Sequence, residues 1–221
     1  MIIRAETLQS SDDIKEVIEK HKVGFFDFGC SRGLNISHVN RKADLCGMGF
    51  DIDEKKLVEA DEAGHIVSDL DILKIPNEKL VDYGHFSHVL EHLTNIDEVR
   101  AFIEESCQIC KKQVLIRQPF IDNDLLLFQL GLKSGYSHWK GHKLNLTTPV
   151  LFNLLNDIRK NSPGMDFLIY YNVPITDSIY EKMFSVHADI DSINYNPETD
   201  LPKPKIRFNF PHFHQINAVI F

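Results

Sequence analysis

Short apolar runs alternate along this chain with amphipathic segments of helical period. Val23-Gly24-Phe25-Phe26, running on to Asp27 and Phe28, is too short for a helix and reads as a strand buried on both faces. Leu45–Phe50, His65–Ser68, the stretch after Tyr83, Gln113–Ile116 and Asp166–Tyr171 repeat the pattern, and Ile206–Phe221 contains a seventh strand. Between them lie helical patterns. Ile14, Val17 and Ile18 follow the capping run Ser10-Ser11-Asp12-Asp13, Leu34–Val39 follows the first strand, and Asp53–Val58 follows the second. A helix ends over Ala101–Cys110, Leu125–Leu130 is a short and very apolar one, and Thr147 or Thr148 caps another through Arg159, with Pro149 in its first turn. Strand and helix in regular alternation predict an α/β fold, a doubly wound, Rossmann-like sheet of seven strands with helices on both faces.

Some stretches carry weaker signals. Residues 1–10 show no pattern, and a helix is expected near Ile179–His187. The proline-rich run from Asn194 to Pro204 is a linker or an ordered surface loop. Pro211 with alternating His212 and His214 suggests a strand interrupted near a sheet edge. There is no internal repeat and no break in composition, so residues 1–221 are expected to form one domain.

Composition narrows the function. The chain has 221 residues and a formal charge of −8, with lysines and arginines scattered singly or in pairs. Without a concentrated basic face, nucleic acid is not the expected partner. Cysteines at 30, 46, 107 and 110 show no metal-site spacing, since Cys107-x-x-Cys110 lacks a second pair. A reduced, cytoplasmic protein is expected, with no leader segment and no membrane insertion.

The first strand turns abruptly at Gly29-Cys30-Ser31-Arg32-Gly33 into a helix. Two glycines four apart let backbone amides approach a ligand closely. The Gly-x-Gly-x-x-Gly of a dinucleotide site is not present, and Asp27, two residues before the loop, would repel a pyrophosphate. The same carboxylate suits a cofactor that brings a sulfonium and an ammonium group. S-adenosylmethionine is such a cofactor. Here the sequence resembles the class I S-adenosylmethionine-dependent methyltransferases. The string Tyr83-Gly84-His85-Phe86-Ser87-His88-Val89-Leu90-Glu91-His92-Leu93 carries the resemblance further. It is similar to the segment after the fourth strand in the group that includes the ubiquinone-biosynthesis O-methyltransferases, where Val-Leu-Glu-His-Leu recurs. The resemblance covers residues 23–120 well.

It implies a last strand running antiparallel between the fifth and sixth. It also implies cofactor contacts from Asp27, Gly29, Cys30 and Gly33 at the turn, and from Asp51 and neighbouring Ile52, with the Asp51 carboxylate on the ribose hydroxyls. Asp69, with Asp71 as a close rival, is expected at the adenine amino group. His88 is expected beside the cofactor. Each has a plainer alternative: a helix cap for Asp51, a solvated loop carboxylate for Asp69. A metal site built from His85, His88 and His92 is set aside, because the paired His-Glu-x-x-His pattern is missing.

The substrate side is expected beyond the fifth strand, at Arg117-Gln118-Pro119-Phe120. Arg117 suits a substrate carboxylate or phosphate, or else a surface salt bridge. Relatives in the resembling family commonly have proline then asparagine here, so Arg117 and Phe120 depart from their pattern, and the substrate class is not carried over from the resemblance. Leu125–Leu130 is open to reading as a lid, a homodimer surface, a membrane-touching element or simple core packing. Gly135–His142 is expected to be a flexible loop whose Tyr136 and Trp139 wall the acceptor. The resemblance places a histidine before the following helix, which His142 matches. His142 is the first candidate base, with His138 and His92 behind it. The resulting expectation is methyl transfer to oxygen or nitrogen of a small-molecule acceptor. A non-catalytic S-adenosylmethionine-binding protein of the same fold, or an NAD(P)-dependent oxidoreductase, are the alternatives.

Overall fold

The computed structural model describes residues 1–190 and 192–221. In chain order the strands and helices begin with β1 (Ile2–Ile3), α1 (Ser11–His21), β2 (Val23–Phe28), α2 (Leu34–Ala43), β3 (Cys46–Phe50), α3 (Glu54–Glu62), β4 (Ile66–Ser68) and β5 (Val81–Ser87). They continue with α4 (Ile96–Ile109), β6 (Cys110–Pro119), α5 (Asp124–Gln129), β7 (Leu132–Ser134), α6 (Gly135–His138), α7 (Thr148–Asn161), β8 (Phe167–Pro174), β9 (Met183–Ser185) and β10 (Phe213–Ile220).

The main sheet has eight strands in the order β1-β4-β3-β2-β5-β6-β10-β8. Neighbours from β1 to β6 are parallel, and β10 runs antiparallel to both β6 and β8. This is the doubly wound sheet with an inserted antiparallel last strand that was expected. The chain winds outward from β2 through β3 and β4, then returns to β5 on the other side of β2. Ligands of such sheets bind at that switch, beyond the carboxyl ends of the strands.

Strand alternation divides the core. Phe26, Phe28, Phe50 and Phe86 point to one face, with Phe26–Phe50 and Phe28–Phe86 ring centroids each 4.9 Å apart. There they meet Ile14 of α1, Val99 and Ile103 of α4, and Leu151, Leu155 and Ile158 of α7. Phe25 and Val67 point the other way, against Ile36 of α2 and Leu57 and Ala60 of α3. Caps set the helix starts. Ser10 and Asp13 form a reciprocal capping box before α1, Asp53 accepts from Lys55 N–H at 3.0 Å to start α3, and Thr147 caps α7.

Four expectations are corrected. Residues 1–10, which give no clear signal in the sequence, contribute a strand: β1 pairs with β4 through Ile2↔Val67 and Ile3↔Ser68, which makes eight strands where seven were expected. No helix forms over 179–187. Met183–Ser185 is a strand antiparallel to Leu132–Ser134, because alternation buries Met183 with Leu127 and Leu132, and Phe184 with Ala188 and Ile190. The 135–142 segment opens with a helical turn, capped by the Ser134 hydroxyl at Tyr136 N–H (3.1 Å), and Tyr136 is buried. Finally, β10 is an interior strand, and Pro211 precedes its ladder, where no N–H is required. The proline-rich run is an ordered surface loop: Lys203 Nζ donates to the carbonyls of Tyr180 (2.9 Å) and Met183 (2.7 Å). No described helix is long and apolar enough to cross a membrane.

Candidate active site

The carboxyl ends of β2, β3 and β5 gather the residues of the glycine turn. Gly29 (φ 71°) and Gly33 (φ 77°) both take left-handed backbone that glycine adopts without strain. A Cβ on Gly29 would stand 2.5 Å from Val89 Cγ2, and one on Gly33 2.3 Å from His65 Cδ2. Cys30 is buried beneath the turn, and burial pushes its thiol far above the usual range. It packs against Ile36 and Leu57, apolar surroundings that disfavour the thiolate.

Asp27 is 1% exposed. Its Oδ1 lies 3.2 Å from His85 Nδ1 but outside good hydrogen-bond geometry, and its Oδ2 has no partner. Asp51 bridges the turn and the next helix, accepting Ser31 N–H at 2.8 Å and Asp53 N–H at 2.9 Å. The helix cap falls to Asp53. Ile52, beside it, is 88% exposed, an apolar side chain held in solvent at the strand end. Asp69 is engaged by the N-terminal segment: Ala5 N–H donates at 2.6 Å and Arg4 Nη1 at 3.1 Å. Burial alone would raise its pKa, but these two donors outweigh it and hold the carboxyl below its ordinary value. Asp71 accepts Leu73 N–H in a local turn.

After β5 the chain passes through His88, a non-glycine residue at φ 56°. His88 Nδ1 lies 3.1 Å from Glu91 Oε1, and its Nε2 lies 2.8 Å from Gln215 Nε2. The side-chain nitrogen of Gln215 only donates, so Nε2 of His88 accepts and Nδ1–H faces Glu91.

Glu91 is the centre of a second group. It is 3% exposed, and its Oε2 has no partner. Its backbone carbonyl accepts the N–H groups of Lys143 (2.9 Å) and Leu144 (3.1 Å), which brings back a segment fifty residues downstream. This places His142 Nε2 3.9 Å from Glu91 Oε1. Nδ1 of His142 meets the Tyr136 carbonyl, and Nδ1 of His92 meets the Gly141 carbonyl at 2.8 Å. A carbonyl cannot donate, so both imidazoles carry their proton on Nδ1 and present an Nε2 lone pair. Burial pushes the His142 pKa down, against the opposing pull of the Tyr136 carbonyl and Glu91, and so favours the neutral ring. One ligand atom each from Glu91, His92 and His142 lies within 4.8 Å of the others, a set able to hold a cation.

Aromatic rings wall this group. Tyr136 stacks on His88 at 5.7 Å and lies nearly parallel to His142 at 6.2 Å. Trp139 stands edge-on to His92 and His142, at 6.0 and 5.1 Å. The Tyr136 hydroxyl faces His214, which also meets the Tyr180 hydroxyl. Two expected residues lie elsewhere. His138 pairs loosely with Asp124 (3.8 Å) and packs on Phe128, away from Glu91. Phe120 is packed among Tyr171, His212 and Phe213 at 5.3–5.5 Å, inside a wall instead of on its surface. Arg117 makes no surface salt bridge among the described residues.

From the sequence, Glu91 with His92 reads either as positioning substrate or as a structural pair at the start of a helix; the structure makes Glu91 the buried centre of the group. Tyr180 and Gln215 had no local signal, and His214 stood out only as part of an alternating strand pattern. A cavity of about 450 Å³ lies at the opposite end of the sheet, lined by Lys79, Cys107 and Cys110. Its Lys79 is already bonded to the carbonyls of Cys107 and Cys110, and it lies at the strand starts, away from the switch.

The chain matches no protein-family model and no curated protein. Solved structures do match. An S-adenosylmethionine-dependent methyltransferase from Archaeoglobus fulgidus superposes with a TM-score of 0.58 at 18% identity, covering 97% of this chain and 95% of that one. The plantazolicin methyltransferase BpumL, in complex with S-adenosylhomocysteine, gives 0.55 at 14%, over 96% and 82%. The small RNA methyltransferase HEN1 gives 0.55 at 18%, over 95% of this chain and 25% of that chain. At these identities the likeness is one of architecture: this chain has the Rossmann-like fold found in S-adenosylmethionine-dependent methyltransferases.

Proposed function

We propose that residues 1–221 form one domain that transfers the methyl group of S-adenosylmethionine to oxygen or nitrogen of a small-molecule acceptor. The observation that carries this reading is the buried, unpartnered Oδ2 of Asp27 beside a left-handed glycine turn, in a sheet of methyltransferase architecture. A buried carboxylate without a donor is costly, and the cofactor's ammonium would satisfy it. A dinucleotide pyrophosphate would be repelled there, which disfavours the oxidoreductase alternative. Asp51 would take the ribose hydroxyls, exchanging its Ser31 contact for them, and exposed Ile52 offers an apolar surface to the adenine. With Asp69 held by Arg4 and Ala5, the adenine amino group has no free carboxylate at that position.

The sulfonium supplies an activated methyl group when the cofactor is bound. The protein aligns the acceptor, excludes water with Tyr136 and Trp139, and takes a proton where the acceptor carries one. His142 and His92 present unprotonated Nε2 atoms for that task. His138 drops out of this role. Calorimetric titration with S-adenosylmethionine and S-adenosylhomocysteine, followed by an acceptor screen read by S-adenosylhomocysteine release, tests the proposal. Failure of both nucleosides to bind refutes it, and binding without turnover across small hydroxyl and amine acceptors and short RNA favours the non-catalytic alternative. HEN1 is named for small RNA, but a chain of net charge −8 without a basic block favours a small acceptor.

A second reading of the Glu91 group has its own support. Both imidazoles donate Nδ1–H to backbone carbonyls, the outer-shell arrangement that prepares histidines as metal ligands, and the Nε2 of His142 lies 3.9 Å from the buried Glu91 carboxylate. A divalent cation held by Glu91, His92 and His142 would lower the pKa of an acceptor hydroxyl. Titration of chelator-treated protein with magnesium, manganese, cobalt and zinc decides: binding lost in Glu91→Gln supports the reading, and no binding by wild type removes it.

A further inference from the structure

One row of side chains across the sheet gathers donors and no acid. Ser87 of β5 stands opposite Arg117 of β6, Arg117 opposite Asn217 of β10, and Asn217 opposite Tyr170 of β8. Residues opposite each other across a ladder project from one face, so a hydroxyl, a guanidinium, an amide and a phenol lie side by side. The Nε of Arg117 is buried without an acceptor, and so is the Nδ2 of Asn217, a residue 1% exposed. Two adjacent buried donors of this kind call for an acceptor from outside the chain. The same-face neighbours two positions away on β6, β10 and β8 are Leu115 and Pro119, Gln215 and Val219, Leu168 and Asn172, and none is acidic. The row opens to solvent at its β8 end, where Tyr170 is 40% exposed.

This row borders the aromatic wall of the candidate site. Gln215, about 7 Å from Asn217 along β10 toward the carboxyl ends of the parallel strands, donates to His88, and His88 stacks on Tyr136. Burial does most to hold the His214 pKa down at about 4, and Arg117 is among the charges that push it the same way, so its field reaches that wall. Strands lie about 5 Å apart, which sets Arg117 about 10 Å and Asn217 about 15 Å from Asp27 across the sheet. An amino-acid group seated on Asp27 does not span that distance, so the row is left to a second molecule.

We infer that Arg117 and Asn217, with Ser87 and Tyr170 beside them, bind an anionic group of the acceptor, a carboxylate or a phosphate. This rests on the methyl-transfer reading above and narrows its acceptor to a small molecule with a negative group at one end and the reacting oxygen or nitrogen at the other. The planar guanidinium forks onto two oxygens of either anion, and the Asn217 amide adds a neutral donor. The reacting end then lies past Gln215, toward the stack of His88 and Tyr136.

Calorimetry with phenyl phosphate, benzoate and neutral benzamide, on the protein with and without S-adenosylhomocysteine, tests the subsite. Wild type is expected to bind at least one anion about tenfold or more tighter than benzamide, and the tighter anion separates phosphate from carboxylate. Arg117→Gln should weaken that anion by about tenfold or more, as loss of a charged hydrogen bond predicts, with S-adenosylhomocysteine affinity within about threefold. Arg117→Lys should recover part of the loss. Tyr170→Phe, which removes one half-exposed hydroxyl, should weaken the anion about threefold and keeps the test decisive if Arg117→Gln folds poorly. In the acceptor screen, Arg117→Gln should raise KM for acceptors bearing that anion and leave KM for uncharged ones unchanged. No anion binding by wild type overturns the inference. So does wild-type anion affinity in a folded Arg117→Gln, or in Tyr170→Phe where that variant stands in for it, and so does a selective loss of S-adenosylhomocysteine in Arg117→Gln. If wild type binds the anion but neither S-adenosylmethionine nor S-adenosylhomocysteine, the methyl-transfer reading fails while the anion subsite stands.

Discussion

His212 should make the fold acid-sensitive well before the carboxylates titrate. It sits immediately before β10, 3% exposed, with its ring edge-on to Phe120 at 5.3 Å and Phe208 at 5.6 Å. Its Nδ1 lies 3.4 Å from Asn123 Nδ2, which suits a neutral ring that accepts. Burial lowers its pKa from 6.5 to about 4. Because the folded value is depressed, the stability contributed by the neutral ring is fully present above the unfolded value. It is lost progressively as the pH falls toward the folded value, and below that both states are protonated. Between about pH 7.5 and about pH 5 the linkage relation gives a loss of about 2 kcal/mol from this one residue. Urea unfolding followed by the fluorescence of the single Trp139 and by circular dichroism measures it. His212→Gln, which keeps an acceptor for Asn123, should lose about 2 kcal/mol less than wild type over the same pH interval. Equal pH dependence in the two proteins would show that His212 does not titrate in this window, and would refute its placement as a buried neutral imidazole.

Four further outcomes follow from the site. Asp51→Ala should weaken S-adenosylmethionine and S-adenosylhomocysteine by about 1.5–3 kcal/mol, and wild-type affinity in calorimetry would remove Asp51 from the cofactor site. Gly29→Val should abolish cofactor binding and lower the melting temperature, since its Cβ would meet Val89 at 2.5 Å, while the far-UV spectrum keeps its native shape. Normal binding would make the turn purely structural. His142→Ala should slow methyl transfer about a hundredfold or more with cofactor affinity within about threefold, whereas equal loss of both would mark collapse of the 135–142 segment. Phe120→Leu should cost about 1 kcal/mol of stability in urea without a selective effect on turnover; a changed acceptor KM at unchanged stability would put Phe120 back on the acceptor surface.

The residues that announce themselves locally were legible from order alone. Phe25, Phe26 and Phe28 make a strand because consecutive bulky apolar groups satisfy two buried faces, and the alternation of such runs with amphipathic segments yields a doubly wound sheet. Asp27 and the Gly29–Gly33 turn were visible for the same reason: charge and backbone freedom are properties of single positions. The register that places Arg117 opposite Asn217 is different. It joins residues a hundred positions apart, and only the antiparallel insertion of β10 decides it. The Glu91, His92 and His142 cluster likewise exists because the Glu91 carbonyl holds the Lys143 and Leu144 amides, a contact with no periodic trace. Asp69 looked available until the N-terminal strand, silent in the pattern because two residues carry no period, laid Arg4 across it. Local spacing sets which face a side chain takes; which side chains then converge depends on where the chain returns, and packing over the whole sheet determines that.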